Sequence, residues 1–197
     1  MSRASATASG ANIICNPSAS DEVIGKEGYR RLLVSSTSAR LACGYVYSNA
    51  APSESTQDMV FSNHHIIAEN GTLLAENRPF EENGLIVSEI DVARLTHERH
   101  RITTYDVVPG GYEVIFPQEI RETELTRHFD RNPFVPPYDA QINERAEAIL
   151  RIQSYGLKKR LEHARAKTAV IGISGGLDST LALLVAVRAM DILGRDR

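Results

Sequence analysis

Ser174-Gly175-Gly176-Leu177-Asp178-Ser179-Thr180 is the stretch from which the chain is read. Ahead of it, Thr168-Ala169-Val170-Ile171-Gly172-Ile173 is a short apolar run with β-branched content, the pattern of a buried strand. Behind it, residues 181–193 are apolar nearly all round and stop at Gly194, the pattern of a buried helix with a glycine terminus. A glycine pair between a strand and a helix is a geometry for holding an anion. Glycine lets the backbone approach closely, and the free N–H groups of the first helical turn point at the guest.

No Lys follows the glycines, so this is not a Walker A loop. Asp178 stands there instead, and a bare carboxylate would repel phosphate. Two readings remove the conflict. Asp178 holds a Mg²⁺ that bridges to phosphate oxygens, or it caps the helix together with Ser179 and Thr180. The complete string resembles the pyrophosphate loop of the N-type ATP pyrophosphatases, which adenylate a carboxyl or carbonyl group and release pyrophosphate. That resemblance implies an ATP-binding set of Gly172, Ile173, Ser174, Gly175, Gly176, Leu177, Asp178 and Ser179. Ser174, Gly175, Gly176 and Ser179 would hold phosphates, and Asp178 would be the metal ligand.

Composition excludes several classes. The 22 basic and 25 acidic residues give a net charge of −3, with no electrostatic footprint for nucleic acid or an anionic membrane. Hydrophobic residues make up 42%, which fits a globular chain without a disorder signature. Cys15 and Cys43 are too few for a disulfide framework, and no Cys/His spacing suggests zinc. No apolar run approaches the ~18 residues of a membrane span, and there is no signal-peptide core. A cytoplasmic protein is expected.

In chain order, residues 1–9 are small and polar, with the character of the end of a helix. A strand is expected at 11–15, then a loop at 16–20, a helix from about 27 to 42, and a strand at 44–49. After a loop at 51–58, strands 59–68 and 72–76 meet at Asn70-Gly71, a strong hairpin signal. A further strand is expected at 84–90, and Asp91 opens a charged helix to about residue 100. The implied fold class is α/β, a layer with a mixed, partly antiparallel sheet.

From 101 to 138 the pattern breaks down. Pro109-Gly110-Gly111, Pro117, Pro133, Pro136 and Pro137 mark an inter-domain connector. Its aromatics, Tyr105, Tyr112, Phe116, Phe129, Phe134 and Tyr138, are expected to pack against the domains. An amphipathic helix follows at 139–155, interrupted at Gly156 and resumed over 157–164. A parallel strand needs partners joined by crossovers of about a dozen residues or more, and only 17 residues follow Thr180. The expectation is a fragment cut inside domains at both ends.

Read together, these stretches resemble an internal piece of a glutamine-dependent NAD(+) synthetase. The resemblance is carried by Asn16-Pro17-Ser18-Ala19-Ser20, Ile24-Gly25-Lys26, Tyr29-Arg30, Ser38-Ala39-Arg40 and Gly44-Tyr45-Val46-Tyr47. It continues through Glu54-Ser55-Thr56-Gln57-Asp58, Glu69-Asn70-Gly71, Asn132-Pro133-Phe134-Val135-Pro136, Ile152-Gln153-Ser154-Tyr155-Gly156-Leu157 and the loop itself. It implies that 1–100 is the C-terminal part of a nitrilase-like glutaminase domain, that 101–138 is the connector, and that 139–197 begins a Rossmann-like synthetase domain of the ATP-pyrophosphatase type. It further implies ATP with Mg²⁺, deamido-NAD and glutamine as reactants, and a homo-oligomer for the full-length protein.

The glutaminase residues of that family are a Glu, a Lys and a nucleophilic Cys, and all three would lie upstream of Met1. No catalytic residue is therefore assigned on this chain, which alone is expected to be inactive. Ser20 and Lys26 match positions that hold the amino-acid end of glutamine, where an ammonium suits an α-carboxylate. Their plainer readings are a helix cap and a solvated charge.

The remaining candidates read blandly. His64-His65 reads as polar strand residues rather than metal ligands. His97, His100, His128 and His163 read as surface, Glu54 and Asp58 as a polar loop, and 121–131 as a solvated charged face. Cys15, inside the run Ile13-Ile14-Cys15, is expected to be buried and inert rather than nucleophilic. Two rival functions stand beside the ligase: a carbon–nitrogen hydrolase with a nucleotide-binding tail, and a non-catalytic fragment.

Overall fold

A computed structural model describes residues 3–55, 58–81, 84–104, 114–115, 117, 119–129, 131–132, 134–135 and 139–196. The expectations for Thr56, Gln57, Tyr105, Pro109-Gly110-Gly111, Tyr112, Phe116, Pro133 and 136–138 lie outside the described residues. The chain forms two compact units, 1–128 and 129–197.

The first unit opens with helix α1 (Arg3–Ala8), then β1 (Ile13–Ser18), α2 (Lys26–Leu41) and β2 (Gly44–Asn49). A 3-10 turn at Pro52–Glu54 precedes β3 (Ile66–Glu69), β4 (Thr72–Glu76) and α3 (Val92–Arg101). The fold class is α/β with a mixed sheet in the order β1-β2-β3-β4. β1 and β2 are parallel, with α2 as their crossover, whereas β2–β3 and β3–β4 are antiparallel.

Strand alternation sets the core. Ile14, Tyr45, Tyr47, Ile66 and Ala68 face α2 and bury with Val34, Leu41 and Cys43. Ile13 and Cys15 therefore face the other way and are exposed. The polar end of α2 is closed by Ser38, whose Oγ donates to Cys43 O at 2.6 Å and accepts from Gly71 N at 3.2 Å. Asn70 and Gly71 both have positive φ, 45° and 86°, as a two-residue hairpin turn with the twist of its strands requires. A Cβ at Gly71 would meet Ala39 Cβ at 2.9 Å.

Several expectations are corrected. β1 runs on to Ser18, through Asn16 and Pro17, because a sheet edge tolerates a proline that cannot donate. Residues 59–65 are not strand: Asn63 takes φ 53°, and Asn63 N and His65 N bond Ala50 O and Asn77 Oδ1 instead of a ladder. Residues 84–90 are not strand either. Gly84 lies against the Asn63 and Asn77 amides and Ile90 against Gly44, while Leu85 and Val87 remain exposed.

In 121–131 the solvated-face reading fails at Arg127. Its guanidinium makes two 2.8 Å bonds to the buried Glu69 carboxylate, and the backbone N–H groups of Thr126 and Arg127 donate to Glu89. Phe129 and Phe134, expected to pack, are exposed.

The second unit is a helix pair, α4 (Asp139–His163) and α5 (Leu177–Leu193). α4 passes through Gly156 without a break. Val185, Ala186, Ala189 and Met190 of α5 are buried, as are Ser154 and Leu161 of α4. Glu147 is gripped by Arg188 and Arg151, which push its carboxyl down to about 2.

α5 ends at Gly194 in the left-handed region, with Gly194 N and Arg195 N returning to Asp191 O and Met190 O. The buried-helix reading of α5 holds on one face alone, since Leu181, Leu183 and Leu184 are exposed. The expected strand at 168–173 is absent. The run has no pairing partner among the described residues, and Val170 and Ile173 are exposed.

Candidate functional site

The Gly-Gly loop is built by a reversal of backbone hand. Gly175 takes φ 84°, and Gly176 then serves as N-cap of α5 with extended geometry. No side chain caps the helix. The hydroxyls of Ser179 and Thr180 instead donate back to Gly176 O, each at 3.0 Å, and so leave the N–H groups of the first turn without a side-chain acceptor. This disfavours the capping reading of these residues. Ser174 Oγ lies 3.4 Å from Ser179 Oγ, which brings both hydroxyls to one side of the turn.

Gly172, Ile173, Ser174, Gly175, Gly176, Leu177 and Asp178 are all exposed. No described atom comes within 4 Å of a Cβ built at Gly172 or Gly175. Asp178 sits in the first turn and makes no hydrogen bond or ion pair among the described residues. It lines a groove of about 790 Å³ with Gln153, Arg160, residues 169–171 and the α5 face at Leu181 and Val185. No group of three or more His, Cys, Asp or Glu among the described residues could hold a metal. One carboxylate beside a Gly-Gly turn is a donor set that Mg²⁺ can use, since it takes one or two carboxylates and completes its shell with phosphate oxygens and water.

In the first unit, Ser20 is tied on both backbone sides to Asn49: Ser20 N donates to Asn49 Oδ1 at 2.9 Å, and Asn49 Nδ2 donates to Ser20 O at 3.0 Å. Ser20 is not a helix cap, since Gly25, at φ 85°, precedes α2. Lys26 is not merely solvated. Its Nζ is 2.7 Å from Asp21 Oδ1, and the Lys26 hydrogen bond and charge lower the Asp21 carboxyl below its ordinary value.

Of the two thiols, Cys15 departs from the expected burial. Cys15 is exposed because it lies on the sheet face away from α2; Cys43 is fully buried, and burial pushes its thiol up to about 11. Among the described residues, none hydrogen-bonds the Cys15 thiol.

Sequence reasoning missed a buried polar cluster. Arg30, His64, Asn49 and Asn77 are all buried, and His64 is fully so. The only sequence signal was the His64-His65 pair, which reads as strand surface but stands before β3 and points one ring inward. His65 accepts from Asn49 N and contacts Ser48 Oγ; burial lowers its tendency to take a proton. Glu54 binds Ala51 N as part of its own turn, and Asp58 is exposed. His97, His100, His128 and His163 are exposed, and no described helix is long and apolar enough to cross a membrane.

Residues 149–197 match the family model of NAD synthase. Over 98% of its length the chain is 38% identical to the glutamine-dependent NAD(+) synthetase of Mycobacterium leprae (strain TN). It is 37% identical to that of Mycobacterium tuberculosis (strain ATCC 25618 / H37Rv) over the same share. Among solved structures it matches a glutamine-dependent NAD(+) synthetase from Cytophaga hutchinsonii at 35% identity, over 38% of this chain and 13% of that one, with a TM-score of 0.36. It also matches the Acinetobacter baumannii synthetase solved in complex with ADP, at 19% identity over 91% and 27% of the two chains, with a TM-score of 0.38. TM-scores this low do not establish a common fold. By sequence, then, the chain is a relative of the glutamine-dependent NAD(+) synthetases, and it spans 30% of the length of the curated relatives it matches.

Proposed function

We propose that this chain is part of a ligase that makes NAD from deamido-NAD, ATP and ammonia released from glutamine. The observation that carries the reading is the start of α5. There a left-handed Gly175, an uncapped Gly176 and an unpartnered Asp178 lie together inside the segment that matches the NAD synthase family. The nicotinate carboxylate would attack the α-phosphorus of ATP, expelling pyrophosphate. Ammonia would then attack the acyl carbon, and AMP would leave with the bonding pair.

In this scheme the chain's own contribution is to hold the leaving group. The open N–H groups of the first α5 turn would bind the pyrophosphate together with Ser174, Gly175, Gly176 and Ser179, with the backbone of Gly172, Ile173 and Leu177 completing the set. Asp178 would hold Mg²⁺, which supplies charge neutralisation of the phosphates when bound. In the first unit Ser20 and Lys26 would receive the amino-acid end of glutamine, the Lys26 ammonium exchanging Asp21 for the α-carboxylate.

The family match supports the matching division of the chain. Residues 1–100 would belong to a nitrilase-like glutaminase domain, 101–138 to a connector, and 139–197 to a Rossmann-like synthetase domain. In that larger frame, residues 168–173 would gain sheet partners. A cytoplasmic homo-oligomer is the corresponding full-length form.

Asp178→Asn in the full-length protein tests the reading. Loss of one metal-held carboxylate should lower pyrophosphate release from ATP and deamido-NAD by about a hundredfold, the scale of removing one transition-state charge contact. Thermal stability should stay within about 0.5 kcal/mol, as for a surface exchange. Unchanged pyrophosphate release would remove the metal role from Asp178.

A further inference from the structure

A buried charge assembly in the sheet unit lies against the proposed glutamine segment. Arg30, on the first turns of α2, has a side chain 3% exposed, and that of His64 is 0% exposed. Arg30 Nη2 donates to Glu22 Oε2 at 3.0 Å, and its Nη1 lies 2.9 Å from His64 Nδ1. A guanidinium has no acceptor, so His64 Nδ1 must accept, and the ring proton sits on Nε2. That Nε2 donates to Glu76 Oε1 at 2.8 Å, and the guanidinium carbon stands 5.8 Å from the centre of the Tyr47 ring. Glu76 also receives Arg31 Nε at 2.8 Å.

Joining α2 to β4 does not require Arg30, because the Arg31–Glu76 pair already does so. What Arg30 adds is a grip on Glu22, which lies between Ser20 and Lys26. That segment has little apolar anchorage: Val23 and Ile24 are 57% and 105% exposed. Its position is set by polar ties, from Ser20 to Asn49, from Glu22 N to Val60 O at 2.7 Å, and from Glu22 Oε2 to Arg30. The Lys26–Asp21 pair is internal to the segment. Among the described residues, Glu22–Arg30 is thus the one ion pair that fixes the segment to the body of the unit.

We propose that Arg30, locked by His64 and Glu76, is a positioning residue that holds residues 20–26 in register for glutamine through Glu22. The proposal rests on the glutamine reading of Ser20 and Lys26. It assigns Arg30 no contact with substrate and no part in the ammonia-dependent reaction.

The test compares glutamine-dependent and ammonia-dependent NAD synthesis in the full-length protein carrying Arg30→Gln, Arg30→Lys, Glu22→Gln, Ser20→Ala or Lys26→Ala. Arg30→Gln and Glu22→Gln should each raise KM for glutamine about tenfold while ammonia-dependent kcat/KM stays within about twofold. Arg30→Lys, which keeps the charge but cannot reach Glu22 and His64 together, should fall between. Glu22→Gln leaves Arg30, His64 and Glu76 in place, so it carries the test if Arg30→Gln does not fold.

An unchanged glutamine KM in Glu22→Gln and Arg30→Gln, with a raised KM in Ser20→Ala or Lys26→Ala, overturns the role of Arg30 and leaves the glutamine reading standing. Equal losses in both assays for Arg30→Gln and Glu22→Gln overturn it in favour of a purely structural network. An unchanged KM in Ser20→Ala and Lys26→Ala removes the glutamine reading itself, and this proposal with it.

Discussion

At the scale of single residues, Glu69 shows what this chain asks of a buried carboxylate. Its side chain is 1% exposed, yet it accepts two 2.8 Å bonds from Arg127 and one of 2.7 Å from Asp91 N. Burial alone would raise its carboxyl, but the bonds from Arg127 and Asp91 and the charges of Arg127 and Arg94 outweigh it and hold the group below 4.5. A folded-state value below the unfolded one means that this stabilisation is complete above pH 4.5 and is lost as pH falls through the folded value.

Glu69→Gln should therefore shallow the acid limb of a stability-versus-pH curve. Arg127→Ala should cost about 3 kcal/mol at neutral pH by taking its nearest cation from a buried carboxylate, which among the described residues keeps only the Asp91 N–H bond and Arg94 at 3.9 Å. Chemical denaturation from pH 3 to 8 checks both, and an acid limb identical to wild type in Glu69→Gln would show that Glu69 does not set it. None of this was legible in sequence. Arg127 belongs to an alternating charge run, and nothing local marks it as the partner of a residue 58 positions away. His64 was hidden for the same reason. Cys15 was misread because its flanking isoleucines suggest burial, whereas strand alternation puts Ile14 in and Cys15 out.

At the scale of elements, what came through in the sequence is what is decided locally. α2, β2 and the Asn70-Gly71 hairpin were readable because spacing and turn chemistry fix them without distant help. So were the Asp91 cap, which accepts from Arg94 N at 2.9 Å, and the Gly194 stop. Strand runs failed wherever the backbone had no available ladder. Residues 84–90 and 168–173 both have the composition of strands, and neither pairs among the described residues. Composition reports that a run could pair; whether an edge is free to receive it is a tertiary fact. In the Gly-Gly loop, the glycine pair and Asp178 were legible as types, while the backward hydroxyl bonds of Ser179 and Thr180 were not.

At the scale of the whole molecule, the proposed glutamine segment and the proposed ATP loop fall in different units. Among the described residues no side chain hydrogen-bonds the exposed Cys15 thiol, Cys43 is buried, and the groove at Asp178 is lined on one side by the unpaired run 169–171. The isolated 197-residue chain is accordingly expected to hydrolyse no glutamine and to form no NAD from either nitrogen source. Chromatographic detection of glutamate or NAD above the enzyme-free background would overturn that expectation.

The two-residue turn at Asn70-Gly71 also sets an order in time. β3 and β4 close a loop of two residues, while β1 and β2 must wait for the whole of α2 to be spanned before Ile13 meets Gly44. Short closures come first because their entropy is small. The hairpin is therefore expected to form first, with β2 and then β1 assembling on it, and damage there should appear in the rate of folding rather than in the rate of unfolding. Asn70→Ala, at φ 45° in the same turn, replaces a residue type that tolerates the left-handed region with one that does not, at a cost of about 1 kcal/mol and with no new Cβ to clash. It should slow refolding about fivefold and leave the unfolding limb of the chevron in place; a faster unfolding limb with unchanged refolding would mean that the sheet is nucleated elsewhere.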